Sequence, residues 1–172
     1  GLLLGSIRNP DPVIFLEPTR LYRLNKQKVA DTGEALPLDK SFILREGNDI
    51  TLISWGSMLH ETSLAADKLL QEKGLYAEVI DVATIKPLDI NTLLTSVEKT
   101  GRCIIIHEAA RYCGVGAEIV AQLSEKAFLF LQAPLQRVTG YDVTVPYAQL
   151  EKQYLPSVTR IYNVIEQTLE FT

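Results

Sequence analysis

The sequence predicts an α/β fold in which a mostly parallel sheet is covered by helices on both faces. Three observations carry the prediction. From Ile50 onward, short β-rich runs alternate with helical stretches of about a dozen residues, the pattern of right-handed crossovers between parallel strands. Val79-Ile80 and Ile104-Ile105-Ile106 are continuously apolar, as strands buried on both faces must be. The helical stretches are also punctuated where helices should start and stop, by Asp89 as N-cap and by Gly74 and Gly101 as terminators.

Taken in order, Ile50 to Trp55 reads as a buried strand. Leu59 to Lys73 reads as a helix with Ala65, Ala66, Leu69 and Leu70 on one side. Ala77 to Val82 is the next strand. Pro87-Leu88-Asp89 opens a second helix, where Ile90, Leu93, Leu94 and Val97 recur at helical spacing. Cys103 to Ile106 is a third strand, and Gly114-Val115-Gly116 leads into a helix carrying Ile119, Leu123, Ala127 and Phe130. Leu135 to Thr139 is a strand, and Ser157 to Phe171 is a helix with Ile161, Ile165 and Leu169 in line. Phe42 to Arg45 is expected as an antiparallel edge strand, because only the tight Glu46-Gly47-Asn48-Asp49 turn separates it from Ile50.

Residues before about 40 do not follow this pattern. Leu2 to Arg8 reads as the end of a helix, Val13 to Glu17 as a strand, and the polar stretch from Asn25 to Leu36 as a linker. A lone helix and strand cannot bury their own apolar surface, and no initiating Met is present. The expectation is a fragment or processed product that opens on the tail of a preceding domain.

The composition excludes several function classes. The 172 residues are 47% hydrophobic and 22% charged with a net charge of −4, ordinary for a soluble globular chain. No apolar run approaches the roughly 20 residues that span a bilayer, so no membrane association is expected. Arg20, Arg23, Lys26 and Lys28 form the densest cationic stretch. Acidic residues flank it, so it reads as a solvated face and nucleic acid is not expected as a partner. Cys103 and Cys113 have no CxxC spacing, which excludes an ordinary zinc site and fits a reducing, cytoplasm-like compartment.

Ligands of open parallel sheets gather beyond the carboxyl ends of the strands. Those ends carry Gly56-Ser57, Ala83-Thr84, His107-Glu108 and Gly140-Tyr141-Asp142. His107 with Glu108 is the pair best suited to acid/base work. Neighbours on a strand point to opposite faces, however, and a strand-end His bonded locally explains the pair more simply. Gly114-Val115-Gly116 matches part of a dinucleotide fingerprint, but Ile119 stands where the third glycine belongs. Ser57 lacks a GxSxG setting, and His60 falls on the outer face of a predicted helix. No nucleophile, base and orienting group assemble.

Blocks along the chain resemble the beta subunits of thiamine-diphosphate-dependent 2-oxo acid dehydrogenases. They are Pro12-Val13-Ile14-Phe15-Leu16-Glu17-Pro18 with Arg20-Leu21-Tyr22-Arg23, then Ser54-Trp55-Gly56-Ser57-Met58, then Glu78-Val79-Ile80-Asp81-Val82 with Lys86-Pro87-Leu88-Asp89. Ser96-Val97-Glu98-Lys99-Thr100-Gly101-Arg102, His107-Glu108-Ala109 and Gly114-Val115-Gly116-Ala117-Glu118-Ile119 continue the series. Arg137-Val138-Thr139-Gly140-Tyr141-Asp142 and Pro146-Tyr147 close it.

The resemblance implies a three-layer α/β/α sandwich with a five-stranded, mostly parallel sheet, the transketolase-type carboxyl-terminal domain, over residues 41–172. Residues 1–24 would end a pyrimidine-binding domain and 25–40 would be the linker. It implies oxidative decarboxylation of a 2-oxo acid, pyruvate ahead of a branched-chain one, with acyl transfer to lipoyl groups. Thiamine diphosphate with magnesium would serve the intact complex, its activating glutamate lying upstream of Gly1, so no catalytic or cofactor-binding residue is expected in this chain. Implied partners are the alpha subunit, a second beta subunit and the subunit-binding domain of a dihydrolipoyl acyltransferase. Implied surroundings are bacterial cytoplasm or mitochondrial matrix.

Ser6, Ile7, Asn9 and Asp11 match positions that bind a monovalent cation, potassium, in some members, with Asn9 where relatives usually carry Asp. Gln132 stands at the acidic position that docks the subunit-binding domain together with the terminal carboxylate, here on Thr172. With so few chemical residues in the chain, a non-catalytic nucleotide-binding or interaction domain is the reading of a different class.

Overall fold

Alternation decides which face each strand residue serves. In the computed structural model, which describes residues 1–24, 28 and 32–171, β1 (Phe42–Arg45), β2 (Ile50–Ser54), β3 (Ala77–Asp81), β4 (Cys103–Ile106) and β5 (Gln136–Val138) form one sheet in the order β1-β3-β2-β4-β5. Ile50, Leu52, Ala77, Val79, Ile104 and Ile106 face one way, into a core with α2 (Met58–Lys73) and α6 (Val158–Leu169). Ile53, Ile80, Cys103 and Ile105 face the other way, against α3 (Ile90–Thr100) and α4 (Val115–Ala127). The period of two along each strand thus supplies both cores of a three-layer sandwich. Every residue of β2 and β4 is buried, which is why neither shows a polar face in the sequence.

The helix ends carry the expected signals. Asp89 caps α3, accepting from the backbone N–H of Thr92 at 3.3 Å and its hydroxyl at 2.7 Å. It also accepts the backbone N–H of Ser41 at 3.1 Å, tying the approach to β1 onto the same carboxylate. Gly74 and Gly101 end α2 and α3 at φ +67°, where a Cβ would be strained. At β3, the fully buried Glu78 carboxylate pairs with the Lys99 ammonium of α3. Burial pushes its pKa up, but hydrogen bonding and charge from Lys99, together with Ser96, hold the carboxyl below its ordinary value.

Several expectations are corrected. β1 is antiparallel, as expected, but it pairs with β3 and not with its sequence neighbour β2. The reason is that both edges of β2 are taken by parallel partners, β3 and β4, so residues 46–49 cross beneath the sheet end and do not form a hairpin. Val13 to Glu17 forms no strand, since no described strand lies beside it. Phe130 does not extend the core stripe of α4. The chain tightens into a 3₁₀ turn over Phe128–Phe130, and all three side chains are exposed. A helix absent from the expectations, α5 (Ala148–Tyr154), follows β5. It buries only Tyr154, too little apolar periodicity to read from sequence.

None of the residues from Gly1 to Leu24 is buried. α1 (Leu2–Arg8) buries no residue. The cationic stretch is not simply solvated, because Arg20 forms an ion pair with Glu61 of α2, whose side chain is only 11% exposed. Arg23 is exposed, and Lys26 lies outside the described residues.

Candidate functional site

The crevice at the carboxyl ends of β2 and β4 is where this sheet would hold a ligand, because the strand order reverses there. Trp55 and Ser57 follow β2, His107 and Glu108 follow β4, and the first turn of α4 stands above them. Burial continues past the end of β4, so His107 is 1% exposed. Its ring stacks on Trp55 with centroids 5.2 Å apart and planes 14° from parallel. On the other side the ring is met by glycines. A Cβ at Gly116 would lie 2.5 Å from His107 Nε2, and one at Gly114 would lie 2.9 Å from its Cε1.

The Gly114-Val115-Gly116 element therefore seats an imidazole. A phosphate-binding turn needs its glycines to open space before the helix N-terminus, and here that space holds the His107 ring. Glu108 turns outward and accepts a hydrogen bond from the Ser57 hydroxyl at 2.6 Å, which joins the two strand ends. The amino-terminal segment closes the outer side: a Cβ on Gly56, whose φ is +59°, would touch Pro18 at 3.6 Å. Side chains fill this crevice, and they do not fit a nucleotide or a diphosphate.

The electrostatics agree. Burial pushes the His107 pKa down to about 4, and the Arg137 cation adds to the effect; the Ala109 backbone pulls weakly the other way without completing a hydrogen bond. Among the described residues, neither ring nitrogen has a partner. His107 is neutral near pH 7, and neither Glu108 nor Ser57 orients it, so the pair does not form an acid/base relay. Its contacts are those of a packed aromatic.

None of the described positions marked by resemblance is buried. Ser6 sits in α1 with its hydroxyl donating to the Leu2 carbonyl at 2.9 Å. Asn9 Oδ1 accepts the backbone N–H of Asp11 at 2.9 Å, a local turn. Ile7, Asn9 and Asp11 are exposed. Gln132 precedes β5 on the surface, and its Oε1 accepts from Arg102 Nη1 at 2.6 Å. Thr172 lies outside the described residues. Among the described residues, no group of three or more His, Cys, Asp or Glu could hold a metal ion, and no helix is long and apolar enough to cross a membrane.

Residues 39–161 match the family described as transketolase, C-terminal domain. The chain belongs to that family. This domain class agrees with the three-layer sandwich and five-stranded sheet described above. Over 171 residues, 99% of its length, the chain is 43% identical to the pyruvate dehydrogenase E1 component subunit beta of Staphylococcus aureus (strain Mu50). It is 44% identical over the same span to that of Staphylococcus epidermidis (strain ATCC 35984). The chain spans about half the length of these curated relatives, 52% in each case. Among solved structures it is similar to a split-gene transketolase in an inactive beta4 tetramer, with TM-score 0.70 and 26% identity, covering 84% of this chain and 46% of that one.

Proposed function

We propose that this transketolase C-terminal domain acts as the assembly part of a pyruvate dehydrogenase beta subunit. The intact enzyme would decarboxylate pyruvate oxidatively and pass the acyl group to lipoyl groups. The observation that carries the reading is the 43% identity to such a subunit over 99% of the chain. The filled crevice between β2 and β4 supports a non-catalytic share of that work. In this reading residues 1–24 end the pyrimidine-binding domain, 25–40 link, and 41–172 form the assembly domain.

Thiamine diphosphate and magnesium belong, in the proposal, to the intact enzyme with its alpha subunit, and the setting is cytoplasmic or, in a eukaryote, the mitochondrial matrix. Potassium at Ser6, Ile7, Asn9 and Asp11 is the weaker part, because Asn9 Oδ1 already serves the turn at Asp11. A second beta subunit would cover the apolar surface after β5, where Tyr141, Val143, Val145 and Tyr147 are all exposed. The acyltransferase subunit-binding domain would dock near Gln132 and Thr172, with the neutral Gln132 weakening a charge-assisted contact.

The test is turnover of pyruvate against 3-methyl-2-oxobutanoate by the full complex containing this sequence. Preference for pyruvate supports the proposal. Preference for the branched substrate moves the assignment to a branched-chain 2-oxo acid dehydrogenase. Absence of turnover with both leaves an interaction domain as the better description.

A further inference from the structure

The carboxyl end of the edge strand β5 gathers three arginines that are 26 and 23 residues apart in sequence. Arg111 follows β4, Arg137 lies on β5, and Arg160 lies on α6. They line an open groove of about 380 Å³ with Tyr141, Asp142 and Asn163. Arg111 and Arg137 clasp each other: Arg111 Nη1 donates to the Arg137 carbonyl at 3.2 Å, and Arg137 Nη1 donates to the Arg111 carbonyl at 3.0 Å. Arg160 is held by donating to the Thr139 carbonyl at 2.8 Å and by lying over the Tyr141 ring at 4.5 Å.

None of the three is ion-paired among the described residues. The one carboxylate at the groove, Asp142, accepts the Tyr112 backbone N–H at 2.9 Å. Three guanidinium groups against one carboxylate leave a local excess of two positive charges in a chain whose net charge is −4. Unpaired surface arginines are ordinarily mobile, but backbone carbonyls and a ring hold these in place. Each guanidinium has five N–H donors, and the clasp leaves most of those on Arg111 and Arg137 unused.

We propose that this groove binds a dianionic phosphate group, as free phosphate or as a small phosphomonoester. Guanidinium forks match the oxygen spacing of phosphate and bind it bidentately. A dianion balances the local charge, which a single carboxylate does not. The position beyond the end of a strand is also where open α/β sheets hold ligands, and this one, unlike the crevice at β2 and β4, is open. The proposal does not rest on the assembly role, although Tyr141 borders both this groove and the surface proposed for a second beta subunit.

Calorimetric titration of the 172-residue chain with inorganic phosphate at low salt tests it, with glycerol phosphate titrated in parallel. One saturable site is expected. Arg111→Gln and Arg137→Gln should each weaken it by on the order of tenfold. Arg102→Gln, outside the groove, should leave it unchanged. Tighter binding of glycerol phosphate assigns an ester as the ligand, and equal binding assigns free phosphate. If Arg137→Gln does not fold, the exposed Arg111→Gln decides alone. Lack of saturation by about 20 mM phosphate, or unchanged affinity in Arg111→Gln, overturns the proposal. So does Arg111-dependent binding of a glutamate-rich peptide without phosphate binding, which would make the groove a contact for an acidic protein segment.

Discussion

The sheet domain and the segment before it are comparably apolar in sequence and opposite in structure. In the domain, Leu52, Ile53, Ile80, Ile104 and Ile105 are all 0% exposed. In the segment, Ile14 is 89% exposed and Leu16 82%, and no residue from Gly1 to Leu24 is buried. The difference is one of partners. An apolar strand is buried only when neighbours flank both edges and helices cover both faces. The segment has one surface to lie on, and a polar tie, Arg20 on Glu61 of α2, holds it there.

The most damaging way to probe this contrast is a matched pair of truncations. Ile105→Ala should cost about 2–5 kcal/mol, because it opens a cavity between the sheet and α4. Ile14→Ala should change stability by less than about 0.5 kcal/mol. Urea unfolding of both variants measures the difference, and similar costs would show that the segment is packed more tightly than its exposure implies.

Acid should act on the domain next most strongly, through His107. Its pKa is about 4 when folded and 6.5 when free, so the unfolded chain binds the proton first. Stability from this group is complete above pH 6.5, declines as pH falls toward 4, and is lost below that. The loss amounts to roughly 3 kcal/mol. Glu78, held below its ordinary 4.5, adds a loss in a lower window, as pH falls from 4.5 through its folded value. Denaturation midpoints from pH 7.5 to 4 should fall in the native chain and fall much less in His107→Leu. An equal slope in the two would remove His107 from the account.

The smallest effect tests the polar tie itself. Arg20→Met should cost about 1–3 kcal/mol, because it leaves the nearly buried Glu61 carboxylate without its cation. The same variant should speed proteolysis within residues 1–24 while the digestion pattern of the sheet domain stays unchanged. A uniform increase in cleavage would mean that the segment and the domain unfold together.

Much of the architecture was legible because its signals are local. Asp89, Gly74 and Gly101 mark helix ends through their own backbone chemistry, and the apolar strands announce burial by composition alone. The edge strand was legible as a strand and as antiparallel, but its partner was not. The tight turn at 46–49 argued for β2, whereas the competition for the two edges of β2 excluded it. The candidate site divides in the same way. His107, Glu108 and Gly114-Val115-Gly116 stood out as residue types at strand ends, while what they touch did not. The arginine groove left no trace in the sequence, since Arg111, Arg137 and Arg160 come from three separate elements.

By itself, then, the sequence determined the class of fold, the order along the chain of the five sheet strands and of the helices other than α5, and the burial of β3 and β4 on both faces. Its motif blocks carried the resemblance to the family. The fold properties depend on period, caps and composition, which act over a few residues, whereas the family rests on the resemblance of whole blocks. Only the tertiary structure decided that β1 pairs with β3, that glycines seat the His107 ring and not a phosphate, and that arginines converge beyond β5. Each of these follows from packing between distant segments, where sterics and shared hydrogen-bonding edges choose among alternatives that local sequence leaves equal.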